Sequence, residues 1–179
     1  GSGLIDLAAE LLQYGLISPD GRLLPPDQVP EGLPDAIRAR VHADADGAVE
    51  FILADGVSLT QRDIRELQLA SGAIRAGIAI LLRRAGIEVT DLRHVLIAGG
   101  FGSFIRRNHA QRIGLIPPEI DHRRIRYVGN TSLSGARWSL LSTDSRNRAE
   151  TLARRTKHVE LSTDEDFAME FAMAMRFPE

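Results

Sequence analysis

The chain has 179 residues, 44% of them hydrophobic and 26% charged, with a formal net charge of −2 and no cysteine. This length and composition fit one globular domain with a real core. The slight acidity disfavours nucleic acid as the main partner, since phosphate backbones reward a basic face. Without cysteine the chain itself can hold no disulfide, zinc ribbon or iron–sulfur cluster. Charges interrupt every apolar run below the ~18–20 residues that a bilayer span needs, and the start lacks the basic and apolar blocks of a signal peptide. A cytoplasmic protein with no membrane association is the expectation.

In chain order, Leu4, Ile5, Leu7, Ala8, Leu11 and Leu12 recur at helical spacing and predict a first helix that stops near Gly15. Prolines and glycines crowd "SPDGRLLPPDQVPEGLP", which reads as irregular connection. "ARVHA" and "AVEFILA", separated by "DADG", predict an antiparallel hairpin. Ser58 or Thr60 then opens the longest helix, which runs to about Ala85, with Asp63 in its first turn. Ile64, Leu67, Ala70, Ile74, Ile78, Leu81 and Leu82 form the apolar stripe expected to face the core.

The strand "VLIA" follows, then a short helix around His109–Ile113, the loop "GLIPPEIDH" and the strand "RIRYVG". "NTSLSGARWSLLS" starts a helix that continues over residues 144–155. "KHVEL" reads as a last strand, and "STDEDFAMEFAMAM" as a capped final helix. Strands alternate with helices in the second half, which predicts an α/β domain with a mixed sheet flanked by helices.

Chemistry gathers in four stretches. Gly99, Gly100 and Gly102 follow a strand directly, where backbone can adopt positive φ or let a ligand come close. A plain strand-to-helix turn explains the glycines equally well. The dinucleotide fingerprint is absent, because its third glycine would fall at Ile105, and there is no GxxxxGK[ST] phosphate loop. Gln68, Ser71 and Arg75 lie three and four residues apart on one helix face, which Gly72 thins enough to admit a flat ring. The plainer account of that face is a solvated stripe opposite the core. "VGNTSLSGA" offers Asn130, Thr131 or Ser132 as helix caps, and "GSGLID" sets amides at a helix N-terminus beside Asp6. The five histidines are scattered without ligand spacing, so no metal site is expected, and no nucleophile–base arrangement identifies a catalytic residue.

Taken together, "GSGLIDLAAELL", "LTQRDIRELQLASGAIRAGI", "VLIAGGFGSFI" with "IGLIP", and "VGNTSLSGA" resemble the C-terminal half of the reductive activators of corrinoid-dependent proteins. These are ATP-using proteins of the actin, hexokinase and sugar-kinase superfamily. The resemblance runs in register over nearly the whole chain. It implies a ribonuclease-H-like (actin-like ATPase) domain that clasps Mg-ATP with a second domain. Gly99, Gly100, Phe101 and Gly102 would then meet the adenosine, with Gln68, Ser71, Gly72 and Arg75 on the other side of the adenine. "VGNTSLSGA" would be the second connecting segment, where helices pivot as the domains close. Polypeptide upstream of Gly1 would carry the first ATPase half and a ferredoxin-like domain with a [2Fe–2S] cluster. The activity implied is the ATP-driven return of cob(II)alamin to cob(I) on a corrinoid protein or a corrinoid-dependent methyltransferase, with a homodimer as a further expectation. By itself the chain would bind ATP weakly or not at all. Ser71 departs from the lysine usual in the family, which keeps an interaction module with a decayed nucleotide site in view, beside a sugar or acyl kinase half.

Overall fold

The computed structural model describes residues 2–100 and 104–178. Helix α1 (Ser2–Gln13) ends at Gly15, which takes φ +70° as the chain reverses. A four-residue helix α2 (Asp35–Arg38) leads into strands β1 (Val41–Ala43), β2 (Val49–Ala54) and β3 (Val57–Thr60), paired antiparallel in the order β1-β2-β3. Asp44 closes the first turn, its Oδ1 accepting from the Asp46 and Ala48 amides at 3.0 and 2.8 Å. The second turn passes through Gly56 at φ +67°. Val57–Thr60 is thus a third strand ahead of the long helix, an element the sequence reading passed over.

Thr60 ends that strand and caps α3 (Gln61–Ala85). Its hydroxyl accepts from the Asp63 amide at 3.3 Å, and Asp63 Oδ2 accepts from the Thr60 amide at 2.8 Å and from its hydroxyl at 2.6 Å. The Thr60 hydroxyl, and after it the amide, hold the Asp63 carboxyl below the usual carboxylate range. Such a group stabilises the fold above its unfolded-state value, and the contribution disappears as pH falls through the lower folded-state value. Thr60→Ala is expected to cost about 1 kcal/mol in urea unfolding at neutral pH, and less in acid where Asp63 is protonated. An equal loss at both pH values would count against the capping role.

The face of α3 that goes inward differs from the predicted stripe. Ile64 and Leu67 are buried as expected, but the buried row continues through Gln68, Ser71, Gly72, Ala76, Gly77 and Ile80, while Ile74 and Leu81 are exposed. The cause is α7 (Phe167–Ala174), which packs along this row. A Cβ on Gly72 would lie 3.4 Å from the Ala174 backbone and from the Phe171 ring, so the glycine sets how closely the two helices approach. Arg83 pairs with Asp166 and Glu170, and Arg84 with Asp164, at the far end of the same contact.

Two parallel strands, β4 (Val95–Ala98) and β5 (Ile125–Gly129), form a second sheet. Both pairing senses of the expected mixed sheet are present, but among the described residues they lie in two separate sheets. Each sheet has its own apolar cluster. Ala8, Leu11, Leu16, Ile17, Phe51, Leu59, Ile64, Ile113 and Phe177 gather under the antiparallel sheet. Ala110, Ile116, Ile120 and Ile125 gather under the parallel one, and half-buried Leu115 packs against both clusters.

Helix α4 (Arg107–Arg112) covers the short candidate around His109 and packs on α1. The predicted helix over residues 131–155 is two helices, α5 (Thr131–Leu141) and α6 (Thr143–Arg155), parted at Ser142. The Ser142 hydroxyl accepts from the Ser145 amide and so starts α6 afresh. "KHVEL" is not a strand: residues 156–160 have no regular structure, Glu160 turns back to accept from the Ser162 hydroxyl, and Leu161 lies over Gly77 of α3. Among the described residues no strand pairs with this stretch, and its Leu161 packs on a helix instead.

Candidate functional site

Parallel strands deliver their carboxyl ends to one side of a sheet, and in α/β proteins that side is where ligands bind. Here β4 runs out into Gly99 and Gly100 while β5 runs out into Gly129 and Asn130. The two exits are joined, the Gly99 amide donating to the Gly129 carbonyl at 2.9 Å. Gly99 has φ +125° and Gly129 φ +68°, backbone conformations that L side chains rarely adopt. Among the described residues, a Cβ built on Gly99, Gly100 or Gly129 meets nothing within 4 Å.

Asn130 caps α5, its Oδ1 accepting from the Leu133 amide at 3.0 Å. The N-terminus of an eleven-residue helix, with its positive dipole end, therefore stands beside the glycine turn. The exit of the turn is held too. Tyr127 of β5 donates its hydroxyl to the Ile105 carbonyl, and the Arg107 guanidinium lies 5.3 Å from the centre of the Tyr127 ring. Burial pushes the Tyr127 phenol up, which keeps it the protonated donor this bond requires. Entry and exit of the turn are thus both fastened to β5. Phe101 and Gly102, which the sequence reading placed on the adenosine, lie outside the described residues.

The second predicted group occupies a different environment. Gln68 is 1% exposed, and its Nε2 donates to the Asp20 carbonyl at 3.1 Å and the Met175 carbonyl at 2.8 Å. Its Oε1 accepts from Arg65 at 2.7 Å. Ser71 is buried and donates to the Leu67 carbonyl of its own helix at 2.9 Å. Arg75 donates to the Ala174 and Arg176 carbonyls at 3.3 and 2.8 Å, and burial lowers its guanidinium from the ordinary value. Gln68 and Arg75 dock the C-terminal segment onto α3, with Gly72 in contact with it, while Ser71 satisfies itself within α3. The solvated-stripe account fails for Gln68 and Ser71, which are buried with their donors on backbone carbonyls.

The sequence reading missed the partners of the glycine turn. Of the three caps offered there, Asn130, Thr131 and Ser132, Asn130 is the one used, but nothing in one sequence places Gly129 beside Gly99. The signal was the pairing of two strands each ending in glycine, "LIAGG" and "YVGN", in an α/β pattern. His109 was also passed over as one of five scattered histidines. It is buried between Asp6 and Glu10 of α1, 2.6 and 2.9 Å from their carboxylate oxygens. Among the described residues no group of three or more His, Cys, Asp or Glu is arranged to hold a metal, and no helix is long and apolar enough to cross a membrane.

The glycine cradle thus combines bare backbone, space among the described residues where side chains would stand, and a helix N-terminus alongside. The chain is 35% identical to the "Reductive activator for corrinoid,iron-sulfur protein", whose solved structure superposes with a TM-score of 0.83 over 100% of this chain and 28% of that one. It is 33% identical over 183 residues to the "Corrinoid activation enzyme RamQ" of Eubacterium limosum, which covers 99% of this chain and 30% of that protein. It is 31% identical over 120 residues to the "[Co(II) methylated amine-specific corrinoid protein] reductase" of Methanosarcina barkeri, covering 66% of this chain and 22% of that protein. The chain thus spans less than a third of the length of each of these relatives. The family described as the C-terminal domain of RACo, the ASKHA domain, matches residues 1–179, and with the expected α/β layering in place this chain belongs to that family.

Proposed function

We propose that the chain serves as the nucleotide-facing C-terminal domain of an ATP-dependent reductive activator, acting on a corrinoid protein or a corrinoid-dependent methyltransferase in the cytoplasm. The observation that carries this reading is the open glycine backbone at the joined carboxyl ends of β4 and β5. Gly99 and Gly100, continuing through Phe101 and Gly102, receive the adenosine of Mg-ATP, and the N-terminus of α5 adds favourable field for its phosphates. Bound ATP would supply the free energy for an uphill reduction whose electrons come from a [2Fe–2S] cluster carried elsewhere in the polypeptide. The names of the relatives support the corrinoid partner.

Gln68, Ser71, Gly72 and Arg75 enter the proposal as a wall of the domain. Gln68 and Arg75 already hold the C-terminal segment against α3. Helices α5 and α6 present Leu133, Trp138, Leu140, Leu141 and Leu152 to solvent, with Leu133 and Trp138 about two-thirds exposed at 66% and 65%. So large an apolar surface on a helix pair suits a pivot against the other half of the ATPase or against a second copy.

Gly100→Val tests the reading cleanly. Gly100 does not have the left-handed φ of Gly99, and a Cβ there meets nothing within 4 Å among the described residues, so the fold should tolerate the change. ATP affinity, measured by calorimetry on the protein that carries this chain, should drop at least ~tenfold once a branched side chain stands where the nucleoside rests. Unchanged affinity in a folded variant would place the nucleotide elsewhere.

A further inference from the structure

We propose that His109 is a positioning residue that ties the exit of the glycine turn to α1 through a contact that depends on a proton. The inference rests on the nucleotide reading for its functional consequence, and on geometry for the contact itself. The His109 side chain is 3% exposed and packs between α4 and α1. Its Nδ1 lies 2.6 Å from Asp6 Oδ1 and its Nε2 lies 2.9 Å from Glu10 Oε1. Both partners are carboxylates, one turn apart on the same helix face.

A neutral imidazole has one N–H donor and one lone-pair acceptor, whereas an ionised carboxylate only accepts. The neutral ring therefore satisfies one carboxylate and points a lone pair at the other. The doubly protonated ring donates to both. The remaining charged groups on this contact come from the same two stretches of chain. Arg106 Nε lies 3.7 Å from Asp6 Oδ2, and Arg112 Nη1 donates to the Ala9 carbonyl at 3.4 Å. Arg106 is the residue that leads into α4, two positions beyond Phe104 at the end of the glycine turn. The row Arg106–Asp6–His109–Glu10 thus fixes the departing backbone against α1, while Tyr127 fixes Ile105 from the β5 side. Losing the second ring proton leaves the ring one hydrogen bond to α1 where it had two, and so loosens the first of these anchors.

The test uses the protein that carries this chain, with ring ¹⁵N shifts of His109 followed across pH. Alongside it, ATP affinity and amide exchange at Phe104–Arg106 are measured over the same range. In the wild type, affinity should be higher by about threefold or more where the ring carries both protons, the lower end of what one intramolecular hydrogen bond contributes. Exchange at Phe104–Arg106 should quicken as the proton is lost. In His109→Gln, which places a carboxamide in the same space and whose fold is checked by circular dichroism, both steps should vanish. In Glu10→Gln the carboxamide can donate to the neutral ring, so both steps should shrink. A single neutral tautomer at every pH, or equal steps in the wild type and His109→Gln, would overturn the proposal. Absence of ATP binding at every pH would instead defeat the nucleotide reading, and the exchange measurement would then decide the His109 contact unaided.

Discussion

Phe177→Ala is expected to lower the free energy of unfolding by about 3–5 kcal/mol, the range for emptying an aromatic site that neighbours cannot refill. Phe177 is two residues from the end of the chain, where side chains ordinarily contribute little. Here it is 3% exposed and belongs to the cluster of Leu16, Ile17, Phe51 and Ile64. Its amide donates to the Pro19 carbonyl at 2.9 Å, and the residues just before it accept from Gln68 and Arg75. The terminal segment is therefore a wall of the main core. Urea unfolding of Phe177→Ala beside Met173→Ala gives the check, since exposed Met173 should cost no more than about 0.5 kcal/mol. Equal small effects would show that the C-terminal segment is dispensable to the fold.

Gly21→Ala is expected to cost about 2–4 kcal/mol, more than glycine-to-alanine changes usually do. Two independent penalties meet at this turn. Gly21 has φ +84°, where an added Cβ is strained by roughly 1 kcal/mol. That Cβ would also fall 2.2–2.3 Å from the carboxamide of Gln68, a side chain that cannot swing away without abandoning the Asp20 and Met175 carbonyls. Overpacking of this kind adds roughly 1–3 kcal/mol. Gln68→Ala should relieve the clash, so the double variant is expected to be less destabilised than the sum of the two single ones. Strict additivity by thermal or urea unfolding would mean that the two residues do not meet.

Local chemistry made most elements legible. Helix α1 carries its apolar period and stops at Gly15, α3 has both a capping threonine and a terminal glycine at Gly86, and the "DADG" hairpin turns on Asp44. The family was legible too, because four blocks in register constrain the answer far more than any single glycine pattern. The misreadings have different causes. Val57–Thr60 pairs with β2 across the two-residue Asp55–Gly56 turn, a local hairpin signal that sits directly against the cap of α3 and merges with the helix start. "KHVEL" alternates as a strand would, yet Leu161 is used against Gly77 of a helix.

What the chain alone determined is the order of its helices and strands, the caps that start and stop them, and the placing of three glycines just beyond an apolar strand, since each depends on residues within a few positions of one another. The tertiary structure decided which face of α3 is inward, that Gly129 lies against Gly99, and that His109 lies between Asp6 and Glu10. Those contacts join positions 30 to more than 100 residues apart. A row such as buried Gln68 and Ser71 with half-buried Arg75 reads as a solvated one until the carbonyls that accept from it are in place.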